Sequence, residues 1–212
     1  MKQPFMLVLP LLLAAGLLAC NSRTKADEPE AAAKESGPAV PAPLGDSRSN
    51  KQEPLQLPLS APRIVVYKAK RRLELYSGDK LLRTYKIGLG LNPVPDKERE
   101  GDRATPEGEF YIFTKNPRSA FHLSLGVSYP NIEDADRGLK SGLITRAERD
   151  TIVRAIKRKQ GPPQYTTLGG LIYIHGNGAS SDWTWGCVAL ENEEIEELYQ
   201  AIPVGTLVTI KP

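Results

Sequence analysis

The stretch from Leu171 to Leu190 constrains this chain more than any other. Leu171, Ile172, Tyr173 and Ile174 form a short apolar run that suits a buried strand. His175 closes that run, and Gly176-Asn177-Gly178 makes the backbone turn. A polar loop through Ser180, Ser181 and Asp182 leads to Trp183-Thr184-Trp185-Gly186-Cys187, after which Val188, Ala189 and Leu190 resume apolar character. One loop therefore joins a histidine at a strand end to a cysteine beside a glycine. That is the layout of a thiol nucleophile and its base.

Cysteine usage strengthens this reading, because the 212 residues hold only two cysteines, Cys20 and Cys187. Phe5 to Leu18 is almost entirely apolar behind a weakly basic head, too short for a comfortable membrane span but suited to a secretory signal peptide. Leu17-Leu18-Ala19-Cys20 resembles the lipobox of bacterial lipoproteins. The resemblance implies that residues 1–19 are removed and that Cys20 carries lipid as a membrane anchor. It also implies that Asn21 favours the outer membrane in a Gram-negative host, with the protein in the periplasm. The plainer reading is an ordinary signal peptide with an incidental cysteine. With Cys20 lipidated, Cys187 is the remaining thiol in an oxidising compartment, either buried and inert or kept for its chemistry. Its loop-end setting among Gly, Thr and Trp favours the second. One Cys and one nearby His fall short of a tetrahedral ligand set, so no metal or other cofactor is expected. A net charge of +3 with no basic stripe gives no case for nucleic acid.

Residues 20–62 are rich in Ala, Pro, Glu, Ser and Gly and lack apolar periodicity, so they are expected to form a disordered tether. Fully extended at about 3.1 Å per residue, it would reach roughly 100 Å or more. Folded sequence is expected over 63–212. Ile64 to Tyr67, Arg72 to Tyr76 and Leu81 to Leu89 predict a β-meander, with a turn at Ser77-Gly78-Asp79-Lys80. Gly88-x-Gly90 has no third glycine and no following helix, so it is not a phosphate loop. Thr105-Pro106-Glu107-Gly108 is a turn feeding a strand through Phe113, and Phe121 to Val127 alternates as another strand, ended by Ser128-Tyr129-Pro130-Asn131. His122 is a rival base by residue type, but a strand histidine without polar neighbours is more often structural. Thr145-x-x-Glu148 has capping-box spacing for a helix from Arg146 to about Lys159. Asn192 is placed to cap a second helix with Ile195, Leu198, Tyr199 and Ile202 on its inner face, before a closing strand over 206–210. The fold class is mainly β, with two or three helices.

Gly88-x-Gly90, Asp102 with Thr105-Pro106-x-Gly108-x-Phe110, Ile174-His175-Gly176 and Gly186-Cys187 occur in the order found in the L,D-transpeptidase catalytic domain, which residues 63–212 resemble. The resemblance implies a β-sandwich of that family and action on peptidoglycan stem peptides. It further implies Cys187 as thioester-forming nucleophile, His175 as base, and the backbone carbonyl of Gly176 as the third element. Many members carry His or Arg just before Gly-Cys and Arg or Asn two residues after it. Here those places hold Trp185 and Ala189. Asp182-Trp183-Thr184-x-Gly186-Cys187 resembles a divergent branch that includes hydrolases as well as transferases.

Acyl transfer through a thiol needs a base and an oxyanion site. His175 is expected to lower the thiol pKa as an ion-pair partner and to protonate the leaving amine. Backbone N–H groups at Trp185, Gly186 and Cys187 are candidate oxyanion donors. Asp182 is an alternative to the Gly176 carbonyl as the group orienting His175, and Thr184 either caps the loop or meets substrate. Trp183 and Trp185 serve as packing or as substrate walls. The expected function is a monomeric L,D-transpeptidase of the cell envelope. The alternatives are an L,D-carboxypeptidase or amidase, in which water takes the acyl group, and a non-catalytic peptidoglycan anchor.

Overall fold

The computed structural model describes residues 53–212; the expected signal peptide, Cys20 and the expected tether as far as residue 52 lie outside the described residues. Strands β1 (Pro62–Tyr67), β2 (Arg72–Ser77) and β3 (Lys80–Lys86) form the expected antiparallel meander. The β2–β3 turn is only Gly78-Asp79, and Gly78 takes a φ of +55°, which glycine reaches without steric penalty. The meander is followed by β4 (Gly108–Ser119), β5 (His122–Val127), β6 (Tyr173–His175), β7 (Val188–Ala189) and β8 (Leu207–Lys211). The strand order is β3-β2-β1-β8-β4-β5-β6-β7.

The long strand β4 joins two halves of this sheet. Gly108 to Tyr111 pairs with β8, whereas Ile112 to Ser119 pairs with β5. Register shifts between Ile112 and Thr114 and between Asn116 and Ser119 bend it, as bulges do. Both halves close on one core, in which Ile64, Val66, Leu73 and Leu75 of the meander join Leu125, Val127, Ile174 and Val188 of the other half. A bridge between Gly88, just past β3, and Ala189 of β7 brings the two ends of the strand order together. The mainly β class expected for the chain therefore holds, with three helices among the described residues rather than an open choice of two or three.

Helix α2 (Arg146–Lys157) has its Thr145–Glu148 capping box and buries Ile152 and Val153. Helix α1 (Ile132–Lys140) was not anticipated after Tyr129-Pro130-Asn131. Its signal is the same box in a shorter form: Asp134 N–H donates to Asn131 Oδ1 and Asn131 N–H donates to Asp134 Oδ2, both at 2.9 Å. Helix α3 (Asn192–Ala201) is capped at Glu191, not Asn192, and Glu191 N–H donates to Glu194 Oε2 at 3.1 Å. The Asn192 side chain is instead used in the loop that carries the cysteine.

The ordered domain also starts earlier than Arg63. Leu55 and Leu59 pack against the main core, and the Glu53 carbonyl accepts from the Arg83 guanidinium. Two leucines four residues apart bury enough apolar surface to hold this proline-rich end of the expected tether to the domain.

Candidate active site

Strand alternation places the histidine. In β6 Ile174 enters the core, so its neighbours Tyr173 and His175 face the opposite way and line a cleft of about 280 Å³. Cys187, immediately before β7, lines the same cleft with Asn116, Ser119, Phe121 and Ser124. The parallel pairing of Ile174 with Val188 sets the two strand ends side by side. The predicted nucleophile and base thus meet in one cleft.

The Nδ1 of His175 lies 2.7 Å from the Gly176 carbonyl oxygen. A carbonyl only accepts, so Nδ1 carries the hydrogen, and in the neutral ring Nε2 keeps its lone pair. Phe121 stacks on the imidazole at 4.6 Å between centroids, and Trp183 meets it edge-on at 5.6 Å. These rings fix the imidazole plane and strip water from it, and burial holds the His175 pKa below its ordinary value. Glycine at 176 leaves room for the Asn192 side chain: a Cβ there would stand 2.6 Å from Asn192 Oδ1 and 3.1 Å from the Phe121 carbonyl.

Cys187 Sγ donates to the Leu171 carbonyl at 3.5 Å and accepts the Tyr173 N–H at 3.4 Å, with no hydrogen bond to His175. Burial pushes the thiol up to about 11. Burial thus biases the unliganded pair toward neutral thiol and neutral imidazole rather than toward the expected ion pair. Desolvation disfavours both charged forms before substrate arrives.

Asp182 does not orient His175. Its carboxylate takes a forked bond from Arg71, with Nη2 at 2.7 Å and Nε at 3.0 Å, and accepts the Leu89 N–H at 2.9 Å. Thr184 shapes the cysteine turn: its Oγ1 donates to the Cys187 carbonyl at 2.8 Å and accepts the Gly186 N–H at 3.1 Å. That removes Gly186 from the candidate oxyanion donors. Among the described residues, the Trp185 and Cys187 N–H groups have no protein acceptor. Trp183 packs, with its Nε1 donating to the Gly178 carbonyl at 3.0 Å, whereas Trp185 is 65% exposed and walls nothing off. His122 sits outside the cleft, 2.7 Å from Glu196 of α3.

Sequence reasoning missed the parts that hold the loop. Gly88-x-Gly90 is the loop's seat: the Leu89 carbonyl accepts the N–H groups of Trp183 and Thr184, each at 3.0 Å, and the Thr184 carbonyl accepts from Leu91. A Cβ at Gly88 would collide with the Ser181 carbonyl, and one at Gly90 with the Arg103 carbonyl. At the other end of the loop, Glu191 accepts the Ala179 N–H at 2.8 Å and Asn192 accepts the Asn177 N–H at 2.9 Å. The signal for Gly88-x-Gly90 was two glycines too close for a strand interior, which mark close backbone approach.

Residues 61–210 match the YkuD family, described as the L,D-transpeptidase catalytic domain. YafK of Escherichia coli (strain K12), by name a candidate L,D-transpeptidase, is 29% identical over 180 residues, covering 80% of this chain and 59% of its own. The chain thus spans less than two thirds of that relative. Among solved structures, the helical cell shape determining protein Pgp2 from Campylobacter jejuni is similar at 25% identity, covering 71% of this chain and 47% of its own, with a TM-score of 0.46. An L,D-transpeptidase from Mycobacterium smegmatis is similar at 12% identity, covering 72% and 59%, with a TM-score of 0.44. The family match takes in the whole sheet, the cleft and the loop from His175 to Cys187, and on it the chain belongs to the YkuD family of L,D-transpeptidase catalytic domains.

Proposed function

We propose that this chain is an L,D-transpeptidase that acts on peptidoglycan stem peptides in the cell envelope through a thioester on Cys187. The observation that carries the reading is a cysteine thiol and an imidazole lining one cleft, with Nδ1 tied to the Gly176 carbonyl so that Nε2 is the free base. In the first half-reaction Sγ attacks the carbonyl carbon of the donor bond as its proton passes to His175 Nε2. The tetrahedral oxyanion is met by the N–H groups of Trp185 and Cys187. Collapse expels the amine, which takes the proton from Nε2 and leaves the thioester. An incoming amine then gives its proton to Nε2, attacks the thioester and releases the thiol. Catalytic hydrogen bonds are commonly looser in an unliganded site, so the missing Cys187–His175 bond fits a pair that closes on substrate.

The test is incubation of purified protein with a donor muropeptide and excess D-amino acid, with products followed by mass. An exchange product is expected. Hydrolysed donor alone at every amine concentration would replace the transferase by the carboxypeptidase or amidase, and no thiol-dependent product would leave a binding anchor. In the same assay kcat/KM should hold level across neutral pH and fall only on an acid limb below 6.5, because the base must be neutral and His175 titrates lower than usual. An acid limb above pH 7 would contradict a buried neutral imidazole.

Delivery is proposed to run through Cys20, which lies outside the described residues. Cys20→Ser should then move the protein from the membrane fraction to the soluble one with the domain unchanged. Equal membrane recovery of both forms would dismiss the anchor.

A further inference from the structure

The cleft beside Cys187 is lined by Asn116, Ser119, Ala120, Phe121, Ser124, Leu171 and Tyr173, and offers a substrate no charged side chain besides the catalytic pair. His175, the one group there able to become cationic, is held neutral by burial. A peptide carrying a carboxylate therefore meets only neutral polar side chains in the cleft, those of Asn116, Ser119, Ser124 and Tyr173, and no cation, so its charge is left uncompensated there.

Three cations around the loop's support are paired. Arg71 is paired with Asp182 at 2.7 Å, Lys97 with Asp102 at 2.8 Å and Lys68 with Glu107 at 2.7 Å. Arg103 makes no ion pair among the described residues, although it borders the cysteine turn. Its carbonyl accepts the Asn92 N–H at 3.1 Å, and the carbonyl of its neighbour Ala104 would stand 2.7 Å from a Cβ at Gly186. The backbone of residues 103 and 104 thus lies directly against the segment that ends in Cys187. The Arg103 guanidinium rests over the Trp185 ring, 4.7 Å from its centroid. Trp185, two residues before the nucleophile, is 65% exposed despite its size. A guanidinium laid on an aromatic face is held in place while its N–H edge stays free for a forked bond to a carboxylate.

We infer that Arg103, held on Trp185, is a subsite that binds a carboxylate of the peptide engaged at Cys187. The inference rests on the peptide-substrate reading above. A stem peptide whose donor bond joins the L-centre of a diamino acid to a C-terminal D-residue offers two carboxylates that meet the chemistry, that of the D-residue and that on the diamino acid side chain.

The experiment is calorimetric titration of the full chain with three ligands. These are a stem tetrapeptide with a free C-terminal D-residue, the same peptide amidated at its C-terminus, and the peptide amidated on the diamino acid side chain. Loss of a charge-assisted forked bond should weaken binding about tenfold, so one of the two amides should bind the native chain that much more weakly. Which amide does so names the carboxylate. Arg103→Gln should bind the free peptide as weakly as the native chain binds that amide, and should lose all preference between them. Arg103→Lys should keep part of it, because an ammonium supplies charge without the fork. Unchanged melting of Arg103→Gln, whose side chain is exposed, would show that a loss comes from the subsite and not from folding. Indifference of the native chain to both amidations, a preference that survives Arg103→Gln, or absence of binding to all three ligands would each overturn the assignment. Carboxylate preference through Arg103 without thiol-dependent turnover would leave the subsite standing and remove the reaction. Turnover with an indifferent Arg103 would do the reverse.

Discussion

A chain carrying Cys187→Ala is expected to fold as the native chain does and to form no product from muropeptides. The stability change should be small, about 1 kcal/mol or less, because the sulfur's hydrogen bonds are two weak ones, to the Tyr173 N–H and the Leu171 carbonyl. The activity change should be large. Without the thiol there is no acyl-enzyme, and removal of a nucleophile of this kind lowers kcat on the order of 10³-fold or more. Denaturant unfolding and the mass-resolved muropeptide assay check the two halves separately. A mutant that keeps half its activity would end the thiol mechanism.

The second large effect is expected at the glycines that bear no chemistry. In Gly90→Ala the new Cβ meets the Arg103 carbonyl, and in Gly186→Ala, where φ is +124°, it stands 2.7 Å from the Ala104 carbonyl. Both obstacles are backbone, so neither can rotate away. Overpacking of this sort costs about 1–3 kcal/mol. The activity loss should exceed what melting explains. Both substitutions push on the segment that sets Cys187 against His175, and a displacement of about 1 Å at a reacting centre costs on the order of 100-fold. Denaturant midpoints, with kcat measured well below the melting temperature, separate the two terms. Native stability and activity in Gly90→Ala would show that the loop is not seated on Gly88-x-Gly90.

Much of this was legible in the residues themselves. Alternation located the strands, the Thr145–Glu148 spacing located α2, and a strand-end histidine joined by one loop to Gly-Cys pointed to two residues that the fold brings into one cleft. These are local signals: side-chain direction in a strand and the hydrogen bonds of a helix start depend on residues a few positions apart. Even there the shorter Asn131–Asp134 box passed unnoticed, because Asp reaches back less readily than Glu and the preceding proline marked a strand end.

What the sequence left open was decided by contacts between distant segments. Asp182 is 111 positions from Arg71, and only the folded sheet shows that its carboxylate belongs to that guanidinium rather than to His175. Gly88 and Gly90 resembled a failed phosphate loop until the cysteine loop was laid across them. The charge state of the reacting pair was likewise tertiary. Residue type suggests an ion pair, but burial under Phe121 and Trp183 keeps the imidazole neutral and burial raises the thiol to about 11. That His175 and Cys187 belong together was legible in the order of the chain; how they are held, and which way burial biases their protonation, follows from what the fold packs around them, because desolvation depends on neighbours in space and not in sequence.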